Sequence, residues 1–177
     1  QLAKHLGVHY ISRMDNEHAK AGNLNHALSL TTSPYVVTLD ADMIPMKHFL
    51  LESIPFFIEN EQKRQLERER GIEEKNLSQK LGFIQLPQVF YNPDIFQYYL
   101  FSEDRIPNEQ DYFYRDIQLG KNESNSVIYG GSNTILSREA LNEIGGFVTG
   151  IITEDIATGM LIQSKGYLSY AVDSIQA

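Results

Sequence analysis

The chain of 177 residues contains no cysteine, so neither disulfides nor thiolate metal sites are possible. It contains no tryptophan. No apolar run approaches the roughly 20 residues that span a bilayer, and no signal peptide is recognisable. Basic residues are few: 15 Lys and Arg against 23 Asp and Glu give a net charge of −8. That balance argues against a generic nucleic-acid or anionic-membrane surface and leaves room for a small local basic site for phosphate. There is no Gly-x-Ser-x-Gly elbow, no Walker loop and no Gly-x-Gly-x-x-Gly. The histidines (His5, His9, His18, His26 and His48) lack metal-ligand spacing. There is no internal repeat and no low-complexity tract.

What remains is an ordinary globular balance, 42% hydrophobic and 21% charged, in a chain long enough for one domain with a sizeable core. It opens on Gln1 rather than Met and reads as a piece of something longer. The spacing of apolar residues predicts strands at 8–12, 36–40, 82–86, 127–129 and 167–172. Helices are predicted at 1–6, 21–30, 48–58, 108–119 and 153–165. Another opens at Ser137 as N-cap and ends at Gly145-Gly146. Strand and helix alternate, which indicates an α/β fold with a mostly parallel sheet and crossover helices. Residues 59–80 break the pattern. They are rich in mixed charge at i,i+4 spacing and read as a surface excursion, an exposed helix or a mobile segment.

The chemistry-bearing residues fall at strand ends and helix starts. Val36-Val37-Thr38-Leu39-Asp40-Ala41-Asp42 reads as a buried strand ending in two carboxylates, at the sheet edge where open α/β folds bind ligands. Two carboxylates there suit a hard divalent cation that clamps a diphosphate. They suit a capped turn equally. They converge only if a turn begins at Asp40, because residues two apart on a straight strand need not meet. An EF-hand is excluded, since Pro45 and Leu51 stand where it needs Gly and Glu.

Lys20-Ala21-Gly22-Asn23-Leu24-Asn25 opens a helix, where backbone N–H groups, the helix dipole and Lys20 favour an anion. Gly22 would let a phosphate approach the backbone. Gln85-Leu86-Pro87-Gln88-Val89-Phe90-Tyr91 offers amides and rings for a sugar. Tyr129-Gly130-Gly131-Ser132-Asn133 suits close approach by a ligand or another backbone. Thr153-Glu154-Asp155 puts carboxylates in a helix's first turn, where capping alone would explain them. In a cleft, one could serve as a general base.

In their order along the chain these runs resemble the processive family 2 glycosyltransferases, bacterial cellulose synthase catalytic subunits among them. The resemblance rests on Tyr10-Ile11-Ser12-Arg13, on Asn16 through Asn25, and on Leu39-Asp40-Ala41-Asp42. It continues through Gln85-Leu86-Pro87-Gln88, Pro107-Asn108-Glu109 with Phe113-Tyr114, Gly131-Ser132-Asn133 and Thr153-Glu154-Asp155. It implies a GT-A-type, Rossmann-like domain with helices on both faces of the sheet, of which residues 1–177 are a single fragment.

It implies inverting transfer of glucose from UDP-glucose onto a growing β-linked polysaccharide. Lys20, Asp40, Asp42, Arg13 and Asn16 would bind the nucleotide sugar. Asp42 and Asp40 would hold Mg²⁺ or Mn²⁺. Gln85, Pro87, Gln88, Gly131, Ser132 and Asn133 would border the acceptor. Asp155 would be the base, with Glu154 and Thr153 beside it. Membrane helices of the full-length protein, at the cytoplasmic face of the cell membrane, are expected outside this stretch.

The family's earlier nucleotide-binding Asp strand and its Gln-x-x-Arg-Trp motif are not in the sequence. Tyr-Gly-Gly replaces the more usual Phe-Cys-Gly before Ser132. Another β-glucan, a hyaluronan- or chitin-like polymer, or a non-catalytic assembly module therefore stay open.

Overall fold

A computed structural model describes residues 2–90, 92–102 and 105–174, with only the backbone described at Glu109. In chain order the elements are α1 (Leu2–Leu6), α2 (Ala19–Ser29), β1 (Tyr35–Thr38), α3 (Phe49–Glu69) and a 3₁₀ turn at Glu74–Asn76. Then come β2 (Leu81–Gln85), α4 (Ile95–Leu100), α5 (Glu109–Tyr112), a π-helical turn at Phe113–Ile117 and α6 (Gln118–Gly120). The last four are β3 (Thr134–Ser137), α7 (Arg138–Glu143), α8 (Glu154–Ser164) and β4 (Leu168–Ala171).

The four strands form one sheet in the order β1-β3-β2-β4. β3 pairs antiparallel with both β1 and β2, whereas β2 and β4 pair in parallel. Three strands thus share a direction and one opposes them, so the sheet is mixed. The alternation of side chains along β2 and β3 builds a core on each face. Phe83 and Leu136 point to the face covered by residues of α2, α7 and α8, among them Ala21, Ala140 and Ile162. Their neighbours Ile84 and Ile135 point to the other face, against Phe49 and Phe57 of α3. Helices on both faces are therefore present, and β2 and β3 are buried throughout.

The structure corrects two strand expectations. Residues 8–12 form no strand and are exposed. Val127 and Tyr129 are buried and Ile128 is half-buried, but the stretch carries no ladder, because amide side chains take up the backbone of Val127 and Ile128. Gln118 donates to the Ile128 carbonyl (2.7 Å) and accepts from its N–H (2.9 Å), while Gln163 donates to the Val127 carbonyl (2.8 Å). The strand begins five residues after Tyr129, at β3.

The charged excursion at 59–80, read from sequence as an exposed helix or a mobile segment, is helical as far as Glu69 and mostly exposed, with a few polar anchors. α3 runs through Pro55 to Glu69. Arg64, only 6% exposed, donates to the Ser78 carbonyl and to Glu74. Glu67 accepts from the Ser78 N–H (2.7 Å), and Asn60 accepts from the Leu81 N–H (2.9 Å). The return strand is thereby stitched to the helix by polar side chains. The short α4 is inside out. Gln97 is buried in a capping box with Asp94, while Ile95, Phe96, Tyr98, Tyr99 and Leu100 are exposed.

Candidate active site

The register fixes which loops meet. Thr38 of β1 and Gln85 of β2 both lie opposite Thr134, the first residue of the reversed β3. The carboxyl ends of β1 and β2 therefore share one sheet edge with the loop Gly130-Gly131-Ser132-Asn133. A turn does begin at Asp40, closed by Met43 N–H donating to the Asp40 carbonyl (3.1 Å). Both carboxylates are carried on it, and Asp42 is exposed. The Asp40 N–H donates to Ser132 Oγ (2.9 Å), which locks the turn to the loop.

Lys20, in the first turn of α2, reaches the same edge. Its ammonium pairs with Asp40 and donates to the Gly131 carbonyl (2.9 Å). An ammonium has three N–H donors, so one remains for another acceptor. Across the loop stands Asp155, in the first turn of α8. A Cβ on Gly131 would lie 2.9 Å from Asp155 Oδ2, and Gly131 has φ +78°, so glycine is required there twice over. The other carboxylate oxygen accepts from the Ile156 N–H (2.8 Å). Lys20, Gly131, Glu154 and Asp155 border a cavity of about 50 Å³ floored by Tyr129. An open groove of about 630 Å³ continues past Asn16, His18 and Glu154.

Two tyrosines feel these carboxylates. Burial pushes the Tyr114 phenol up to about 12, and Asp155 and Asp40 add to the rise. Burial raises Tyr129 further still, although its hydroxyl donates to Thr38 Oγ1 (3.2 Å). Tyr114 was not among the site residues expected from sequence. Its signal was the Phe113-Tyr114 pair in an aromatic helical stretch. The π-helical turn there, a device frequent at functional sites, puts its hydroxyl 3.0 Å from where a Cβ on Gly130 would be.

Several expected ligand contacts are instead internal. Gln85 is 1% exposed and all four of its hydrogen-bonding positions are filled. Nε2 donates to the carbonyls of Leu86 and Ser132 (2.9 Å each). Oε1 accepts from Gly130 N–H (2.8 Å) and Thr134 Oγ1 (2.7 Å). Ser132 and Asn133 are fully buried, and Asn133 donates to the Pro87 carbonyl (3.1 Å). Gln85, Pro87, Ser132 and Asn133 therefore shape the loop, and Gly131 alone of that expected set lines the cavity. Gln88 is buried just beyond Pro87. Tyr91 lies outside the described residues.

Arg13 is likewise engaged with Asn23, Asp15 and two backbone carbonyls, and Gly22 faces that guanidinium rather than a phosphate. Thr153 is exposed and makes no side-chain cap, so the Thr153 contribution to the helix start is its carbonyl, which accepts from Ala157 N–H (3.1 Å).

Among the described residues no three His, Cys, Asp or Glu converge as a metal cage. The hard oxygens of Asp40 and Asp42 nonetheless fit Mg²⁺ or Mn²⁺. Mg²⁺ usually takes one or two protein carboxylates and completes its shell with water and substrate phosphates.

A strand-end acidic turn, a helix-borne lysine and a second acidic helix start around one glycine make a site for an anionic leaving group and a proton acceptor. Residues 1–145 match the family model described as Glycosyl transferase family 2. The chain belongs to glycosyl transferase family 2. Its relatives in that family include a UDP-forming cellulose synthase catalytic subunit of Xanthomonas axonopodis pv. citri, 33% identical over 92% of this chain. A second, cellulose synthase 1 catalytic subunit of Komagataeibacter xylinus, is 37% identical over 94%. A third, from Pseudomonas fluorescens, is 35% identical over 94%. The chain spans 20% of the length of each of these relatives.

Proposed function

We propose that this family 2 chain carries the donor and base residues of an inverting, processive synthase. The enzyme transfers glucose from UDP-glucose to the end of a β-linked glucan of the cellulose type. The observation that carries the reading is the convergence of Lys20, Asp40 and Asp155 on Gly131 at one sheet edge. Similarity to UDP-forming cellulose synthase subunits along nearly the whole chain supports it.

The third N–H of Lys20 receives the diphosphate and steadies the negative charge that grows on departing UDP. Asp40 and Asp42 would hold Mg²⁺ or Mn²⁺, which supplies further positive charge to the diphosphate when bound. An acceptor hydroxyl oxygen attacks the anomeric carbon from the face opposite UDP. The new glycosidic C–O bond forms as the bond to UDP breaks, and UDP leaves with the electron pair. The hydroxyl proton passes to Asp155. One displacement turns an α-linked donor into a β-linked product with no covalent enzyme intermediate.

The reading puts the chain at the cytoplasmic face of the cell membrane. Among the described residues no helix is long and apolar enough to cross a membrane. The test is radiolabelled transfer by the full-length protein in membranes, followed by linkage analysis. Label entering a polymer cut by a β-1,4-glucanase is expected. Transfer from UDP-N-acetylglucosamine in place of UDP-glucose would overturn the donor assignment.

A further inference from the structure

We infer that Arg13 is the positioning residue of Lys20. Its guanidinium clamps a left-handed turn at the start of α2 and thereby sets where the ammonium stands. The inference rests on the nucleotide-sugar reading of the site.

The turn is unusual. His18 (φ 60°) and Ala19 (φ 42°) are consecutive non-glycine residues in left-handed backbone, directly before Lys20. Such conformations are unfavourable for L-residues and persist only where the surroundings over-determine them. His18 supplies no side-chain cap to the helix. Arg13 supplies the constraint. Its Nε donates to Asn23 Oδ1 (2.6 Å) and its Nη2 to the Ala19 carbonyl (2.9 Å), while Nη1 serves the Glu17 carbonyl and Asp15 Oδ1 (3.3 Å). The two carbonyls bracket His18. Asp15 is itself tied into the loop by accepting from the Glu17 N–H (3.0 Å).

The Arg13 side chain is only 12% exposed, although the bonds it makes lie at the surface. Gly22 completes the clamp. A Cβ there would overlap Arg13 Nη1 and the Glu17 carbonyl, so the helix must be bare at that point for the guanidinium to lie against it. With four acceptors already on its fork, Arg13 acts on the diphosphate through Lys20 rather than by touching it.

The experiment uses the full-length protein with R13Q, R13K, G22A, K20Q and the double variant R13Q/K20Q. Donor KM, kcat and thermal midpoint are read separately. R13Q is expected to raise the UDP-glucose KM about tenfold, the scale on which supporting partners of a ligand act. G22A should reproduce the shift from the other side of the clamp. R13K should not rescue, because an ammonium cannot serve four acceptors in a planar fork. In the K20Q background R13Q should change KM by less than about twofold, since a residue acting through Lys20 has nothing left to act on.

Equal effects of R13Q with and without Lys20, or an unchanged KM in R13Q while K20Q is impaired, would overturn the proposal. Wild-type protein that transfers nothing from UDP-glucose would instead strike the nucleotide-sugar reading. The clamp is then judged by hydrogen exchange at the Ala19–Gly22 amides. Faster exchange in R13Q supports it, and unchanged exchange overturns it.

Discussion

Replacing Gln85 with leucine separates a loop-shaping role from an acceptor-reading one without any substrate present. The side chain is buried and joins Leu86, Gly130, Ser132 and Thr134 through four hydrogen bonds. Leucine fills most of the volume and removes all four. Thr134 Oγ1 also lies 2.8 Å from the Ser132 carbonyl, so those two groups can satisfy each other. The Gly130 N–H and the Leu86 carbonyl are left buried without partners. Each orphaned group costs about 1–3 kcal/mol, so the expected loss is about 3–4 kcal/mol. For a chain of this size that corresponds to a fall in Tm of roughly 10 °C.

Urea and thermal unfolding of the 177-residue protein, followed by circular dichroism, measure it. Q85L should also loosen the Gly131 carbonyl that holds Lys20, so donor KM should rise in the full-length enzyme. A loss below about 1 kcal/mol would refute the reasoning. A normal fold with impaired acceptor use alone would return Gln85 to the role its position at a strand end first suggested.

Gly131→Ala should cost about 1–3 kcal/mol through its positive φ and displace Asp155, whose Oδ2 would meet the new methyl at 2.9 Å; unfolding and turnover measure the two effects. A wild-type-like G131A would contradict the packing described. The raised Tyr114 pKa makes an alkaline prediction: with a folded value of about 12 against 10.0 unfolded, the neutral phenol's contribution is complete below pH 10 and disappears as pH rises toward 12. It amounts to roughly 3 kcal/mol, so Y114F should flatten the loss of urea stability between pH 10 and 12, and an unchanged profile would count against it. Arg64→Ala should raise hydrogen exchange across residues 74–81, because Ser78 and Glu74 each lose one of their anchors to α3 and keep only those from Glu67 and Arg68. Unchanged protection there would show that the segment is held by something else.

β1 and β2 were legible from their β-branched and large apolar side chains, and β4 from the apolar residues of Tyr167 to Val172 that surround Ser169. β3 was not, since Thr134-Ile135-Leu136-Ser137 is short and polar at both ends, and Ser137 also caps α7. The more apolar 127–129 looked the better strand. Its backbone is satisfied by Gln118 and Gln163, long-range amides that no local pattern reveals.

The placement of Lys20, Asp40 and Asp155 at one sheet edge was readable because each sits at a strand end or helix start, where side chains project past the sheet. For Gln85, Ser132, Asn133 and Arg13 the sequence did not reveal the internal hydrogen bonds that hold them. Polar residues beside a binding motif look the same in sequence whether they face a ligand or hold the loop that does. Only burial and a full set of partners tell them apart. The excursion at 59–80 is the exposed helix its charge pattern predicts as far as Glu69, while the polar network of Arg64 and Glu67 that ties the following turn back to it depends on partners ten or more residues away that the pattern does not reveal.

The central claim is that Asp155 takes the acceptor proton while Lys20 and the Asp40–Asp42 turn hold the donor. The most direct measurement compares Asp155→Asn with Asp42→Asn in the full-length protein, by radiolabelled transfer from UDP-glucose alongside calorimetry of UDP with Mg²⁺. Asp155→Asn should lower kcat by about 10²–10⁴-fold with UDP affinity near wild type, and Asp42→Asn should weaken UDP binding as well as rate. If Asp155→Asn lost UDP affinity as badly as Asp42→Asn yet turned over normally at saturating donor, the assignment of the base would be contradicted.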